Sequence, residues 1–240
     1  MTIMDDLLRI AKPLGDCVRI QEGPLVSVRD AKHIRDHIEP IVRTAVFGDT
    51  REKSLAQWLV RALALELGAI PGSIHDFYIA RGSGHTPEHF TVPAMNLRAL
   101  PFHAARAVFR AAVESHSCAF IFEIARSEMG YTDQRPSEYT SAILGAAIAE
   151  GYQGPVFIQG DHFQVSASRY VQDPQKELGA LKDLIKESIV AGFFNIDIDA
   201  STLVDLIKET IAEQQNINFT LSAELSAFVR MAEPENVTIS

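Results

Sequence analysis

From about residue 90 onward, short apolar runs alternate with longer helical segments, and that alternation leaves the chain few folds to choose from. The apolar runs fall at 91–97, 118–125, 155–161, 193–199 and 236–240. Segments of helical character lie between them at 100–115, 136–150, 174–191 and 203–231. The punctuation agrees. Asp173-Pro174 reads as an N-cap and first helical residue, Gly192 follows that helix, and Pro136 and Gly151 bracket another. Strands alternating with helices imply right-handed crossovers and a parallel sheet. The expected class is α/β, with about five strands visible.

The texture before residue 90 differs. Residues 54–67 are rich in Leu and Ala, with Asp49 or Thr50 placed to cap the helix and Gly68 to end it. A second helix is expected over 31–46, interrupted near Pro40. Residues 71–87 read as a connecting loop containing Gly72, Gly82 and Gly84. The chain therefore divides into an N-terminal helical extension, 1–90, and a partial (β/α) barrel domain, 91–240.

Charge narrows the partners. The 22 Lys and Arg against 31 Asp and Glu give −9, which disfavours nucleic acid and anionic membrane surfaces. No apolar run approaches the roughly 18–20 residues that span a bilayer. The N-terminus carries Asp5 and Asp6 and lacks a signal-peptide pattern. Cys17 and Cys118 make no metal-type cluster, and a cytoplasmic protein with free thiols is expected.

Strands covered by helices on both sides are normally apolar on both faces. Here several are not. Asn195, Asp197, Asp199 and Ser201 share one face, Gln159 and Asp161 share another, Glu123 interrupts the run 120–124, and Asn96 lies in the first strand. A buried carboxylate needs a pairing, a hydrogen bond or a metal. Polar groups near the C-terminal ends of several strands therefore suggest one shared site. A (β/α)₈ barrel gathers such a site at its C-terminal mouth, a doubly wound sheet at a switch point, and a few satisfied core polar groups are the plainer alternative.

Within that set, Gly160-Asp161-His162 pairs a metal-ligating imidazole with a carboxylate able to move protons. Asp199 reaches the next strand's mouth, while Ser201 reads as either a site residue or the N-cap of the helix beginning near Leu203. Arg126 or Arg135, in the stretch 126–135 taken as a loop, could grip a phosphate, although a solvated loop explains them equally well. Glu224 falls inside the last helical segment and reads as a decoy. His33/His37 and His85/His89 have the i,i+4 spacing of metal ligands, but surface histidines are the simpler reading.

Three of these segments, in order, resemble class II, metal-dependent ketose-bisphosphate aldolases. They are Val92-Pro93-Ala94-Met95-Asn96, the strand 155–160 ending in Asp161-His162, and the segment 191–201 ending in Asp199-Ala200-Ser201. The resemblance covers 91 to about 201, and the first 90 residues match nothing in the pattern. It implies a TIM barrel holding a divalent metal, usually zinc, and a lyase that makes or breaks a carbon–carbon bond in a phosphorylated ketose through a metal-stabilised enediolate. Carried across, His162 is a metal ligand, Asp161 the acid/base, Asp199 an aspartate near the metal, and Asn96 a substrate-side residue. Glu123, Ser201, Arg126 and Arg135 are the remaining substrate-binding candidates. A homo-oligomer is also expected. The family's later histidine ligands have no counterpart, since all eight histidines occur by residue 162, so the chain is expected to be C-terminally incomplete or divergent. The same segments resemble the non-catalytic, stabilising subunit of tagatose-bisphosphate aldolases, which is the rival expectation.

Overall fold

A computed structural model describes residues 2–21, 25–87, 89–117 and 119–240. In chain order the elements are α1 (Ile3–Ala11), β1 (Val18–Gln21), β2 (Leu25–Val28), α2 (Ala31–His37), α3 (Glu39–Phe47), α4 (Thr50–Glu66), β3 (Ala69–Gly72) and α5 (His75–Gly82). They continue with β4 (Ala94–Asn96), α6 (Pro101–Ser115), β5 (Ile121–Ala125), α7 (Arg126–Thr132), α8 (Pro136–Glu150), β6 (Gly154–Gln164), α9 (Ala167–Gln172), α10 (Pro174–Ala191), β7 (Asn195–Asp199) and α11 (Ile211–Ala232).

Five strands form one parallel sheet in the order β4-β5-β6-β3, with β7 on the same edge of β6 as β3. β6 is long enough to hold both neighbours. Gly154–Phe157 pair with β3, and β7 takes over from Gln159. Asn195 fills the junction. Its Nδ2 donates to the carbonyls of Ile158 (3.0 Å) and Gly72 (3.3 Å), and its Oδ1 accepts from Ile74 N–H at 2.9 Å. The α/β class and parallel sheet are as expected, and among the described residues the sheet is open.

α8 explains how one face of that sheet is covered. Every residue from Tyr139 to Ile148 is buried, so it behaves as an interior helix with no polar stripe, packed between α3, α4, α6 and α10. Gly145 permits the closest approach, since a Cβ there would meet Val42 Cγ2 at 2.3 Å. α4 begins with the capping box Asp49/Glu52 and buries Ala56, Leu59, Val60, Leu63 and Ala64 at helical spacing against the same core.

Residues 1–90 are not a separate helical extension. β3 joins the sheet, β1 and β2 pair as an antiparallel hairpin, and one core unites Leu14, Ile34, Leu59 and Ala69 with Phe109, Phe122, Ile158 and Leu225. The short strand Ala69–Gly72 carries a proline and a glycine and runs into the stretch 71–87 expected to be a loop; α5 lies within that stretch. The stretch after β5 is helix α7, whose start is held by the Ala125 N–H donating to Glu128 Oε2 at 2.9 Å. The last helix starts at Ile211 under the cap of Thr210, eight residues later than expected (211 minus 203), and Ser201 is not its cap. Residues 236–240 form no strand, although Ser240 N–H bonds the Phe194 carbonyl and its carbonyl accepts from Ile196 N–H. Cys118, expected to open the second strand as a free thiol, lies outside the described residues; Cys17 is a free thiol. No helix among the described residues is long and apolar enough to cross a membrane.

Candidate functional site

The sheet face opposite α8 is graded along the strands. At its base Ile121 and Phe157 pack with Ile74 as a small apolar cluster, against which Phe77 of α5 rests. One step on, the register sets Asn96, Glu123, Gln159 and Asn195 side by side across β4, β5, β6 and β7. A parallel pairing with a two-residue repeat must put these four on one row. Gln159 Nε2 donates to Glu123 Oε2 at 3.1 Å, and Asn96 Nδ2 donates both to Glu123 Oε1 (3.3 Å) and to Asp161 Oδ2 (2.9 Å). Burial pushes the Glu123 carboxyl above the usual carboxylate range, and the neighbouring charge of Asp161 adds to the rise while His162 opposes it.

Beyond that row the ladder is broken. Gly160 lies opposite Ile196 and Phe163 opposite Ile198, so Asp161 and His162 together face Asp197 alone. This is a β-bulge, with His162 at φ 43°. In a regular strand Asp161 and His162 would point to opposite faces. The extra residue removes that alternation, and donor atoms of Asp161, His162 and Asp197 all lie within 4.8 Å of one another. His162 Nε2 is 3.8 Å from Asp161 Oδ1, and Nδ1 is 3.6 Å from Asp197 Oδ2, whose carboxylate also accepts from the His162 backbone N–H at 3.2 Å. The bulge folds the Phe163 ring beneath Gly160, where a Cβ would meet it at 2.4 Å. One imidazole and two carboxylates form a donor set suited to a divalent cation.

Asp199 stands beside this group. Its Oδ2 is 3.4 Å from His162 Nδ1 and accepts from Gln164 Nε2 at 2.6 Å, while its Oδ1 accepts from Ser201 N–H at 2.8 Å. Burial works against its charge, yet the bonds from Ser201 and Gln164 outweigh it and hold the carboxyl below its usual range. Asp197 thus completes the close group with Asp161 and His162, and Asp199, the aspartate expected near the metal, is fixed alongside. Alternation along β7 placed both on one face but gave no reason to prefer Asp197, because the bulge that selects it leaves no mark in residue type.

Asn96, Glu123, Asp161, His162 and Asp199 are brought together as expected. Ser201 contributes its backbone N–H to Asp199. Arg126 is committed elsewhere: Nη1 bonds Glu177 Oε1 (2.5 Å) and the Gln164 carbonyl (2.7 Å), and Nη2 reaches Glu177 Oε2 at 3.2 Å. Arg135 is ion-paired with Glu187. Glu224 sits on α11 and pairs with Lys182 at 2.6 Å. His33 and His37 stack with centroids 4.0 Å apart, outside any metal-capable group among the described residues. From His162 a cavity of about 860 Å³ opens between α7, α9 and α10.

Compared with family models, curated proteins and solved structures, the chain matches none.

Proposed function

We propose that the chain is a metal-dependent lyase of the class II aldolase type, acting on a phosphorylated ketose. The observation that carries the reading is the convergence of Asp161, His162 and Asp197 at the C-terminal ends of β6 and β7. Strands β4 to β7 are parallel, lie in chain order and carry their polar ends one way, as at a (β/α)₈ barrel mouth, whereas β3 on β6 departs from that order.

The donor set fits a divalent cation, and its mixture of imidazole and carboxylate suits zinc. Such a cation supplies Lewis-acid stabilisation of negative charge on the substrate's oxygens. We assign it to His162 and Asp197. Asp161 then handles the proton: it takes the proton of the substrate hydroxyl as the C–C bond breaks and the carbonyl forms, and returns it to the aldehyde oxygen during condensation. Asn96 holds Asp161 Oδ2 and leaves Oδ1 directed toward His162. Glu123 and Gln159 hold Asn96 in turn, so the polar row orients the proton-handling group.

The test is aldol cleavage of fructose or tagatose 1,6-bisphosphate by zinc-loaded protein, read as triose phosphate released. Turnover that disappears on chelation and in His162→Ala is expected. Undiminished turnover in His162→Ala would refute the assignment. A second reading, a stabilising subunit without activity of its own, is favoured by the single histidine in the donor group. Absence of cleavage by the metal-loaded chain, together with activation of a separate aldolase on mixing, would select it.

A further inference from the structure

The cavity beside His162 has a volume of about 860 Å³, enough for a small sugar derivative, and three guanidinium groups line it. Two are already neutralised, Arg126 by Glu177 and Arg135 by Glu187. The third, Arg169 on α9, has no carboxylate within ion-pair distance among the described residues, although its charge is near enough to lower the Glu177 carboxyl. Ser127 and Ser166 line the same space and supply hydroxyl groups. Asp183 on the α10 wall adds one carboxylate, an acceptor for a ligand's hydroxyls. At the His162 end, by contrast, the charge is dominated by Asp161, Asp197 and Asp199, which repel an anion unless a cation intervenes.

From this polarity we infer that Arg169 anchors the phosphate of a phosphate monoester whose oxygenated, reacting end lies at His162. A guanidinium presents several N–H donors in one plane and suits a phosphate dianion better than any other group lining the cavity. Arg126 and Arg135 shape the wall through their ion pairs, and Arg169 sets the preference for a phosphorylated over an uncharged substrate. The inference deepens the lyase reading by locating the substrate's anionic end, and it depends on that reading only for what happens at the other end.

The two are separated by titrating without metal. In the presence of EDTA, inorganic phosphate and glycerol 3-phosphate are titrated calorimetrically into the chain, with glycerol as the uncharged comparison. Both phosphates are expected to bind and glycerol not. Arg169→Gln is expected to weaken the phosphates about tenfold or more, Arg169→Lys less, and Arg43→Gln, on a remote surface, not at all. Arg169 is exposed, so the variant should keep the parent's melting temperature. Failure of the parent to bind either phosphate, parental affinity in Arg169→Gln, or equal weakening in Arg43→Gln would each overturn the assignment. Manganese uptake, measured separately without phosphate, bears on the metal centre alone.

Discussion

Replacing Gly160 with alanine tests the bulge that assembles the site. Gly160 does not have a positive φ, so alanine meets no backbone penalty there. The obstacle is steric. The new Cβ would lie 2.4 and 2.5 Å from Cε1 and Cζ of Phe163, where ordinary contact begins near 3.4 Å, so the ring must retreat by about 1 Å (3.4 − 2.4). Phe163 is fully buried within the main core, so the ring can move only against packed neighbours. Overpacking of this kind costs about 1–3 kcal/mol. For a chain of this size each kcal/mol moves the melting temperature by about 2–4 °C, which gives a drop of roughly 2–12 °C. His162 lies between the two residues that must separate. A shift of about 1 Å exceeds the roughly 0.5 Å tolerance of a preorganised site, so manganese affinity should fall about tenfold or more. Gly179→Ala is the matched comparison: it lies within α10, nothing lies within 4 Å of its Cβ, and it should stabilise by about 0.4–1 kcal/mol. Thermal melts and manganese titration by electron paramagnetic resonance read both effects. A Gly160→Ala protein with the parent's melting temperature and affinity would refute the packing argument.

Glu123→Gln, in metal-free buffer, should raise the melting temperature at pH 7–8 and lose that advantage near pH 4. The Glu123 carboxyl is raised in the folded state, so its stabilising contribution is present at low pH and lost as pH rises through the raised value. Asp199→Asn should act with the opposite sign. The lowered carboxyl stabilises above its unfolded value, so the variant is weaker at pH 7 and converges with the parent as pH falls below 4. Glu177→Leu leaves the Arg126 guanidinium without its carboxylate, with the Arg126 side chain only 15% exposed, and should cost roughly 3–5 kcal/mol by chemical denaturation. Gly145→Ala drives a methyl against Val42 Cγ2 at 2.3 Å and should destabilise by about 1–3 kcal/mol in the same assay.

Where local signals govern, the sequence was readable. Proline at the first turn and glycine at the end mark α8, and with Asp173 as cap they mark α10, both at the expected residues. Polar residues interrupting apolar strands pointed to Asn96, Glu123, Asp161, His162 and Asp199, which do gather on one face. Long-range pairing was not readable. Little in Ala69–Gly72 announces a strand, because its partner lies some 85 residues away (154 − 69) and only Ile70 among its four residues favours one. The bulge was equally silent. It depends on how β6 meets β7, and it sets Asp161 and His162 opposite Asp197. Arg126 and Arg135 looked available for an anion because their carboxylates, Glu177 and Glu187, lie on a distant helix.

The most direct test of the donor group is manganese titration of the parent and of Asp197→Asn, followed by electron paramagnetic resonance at neutral pH, with the half-buried Asp205→Asn as a comparison outside the donor group. The parent should take up about one ion, displaceable by zinc; Asp197→Asn should bind about tenfold more weakly or worse, and Asp205→Asn should match the parent. No uptake by the parent, or equal uptake by Asp197→Asn, would contradict the account.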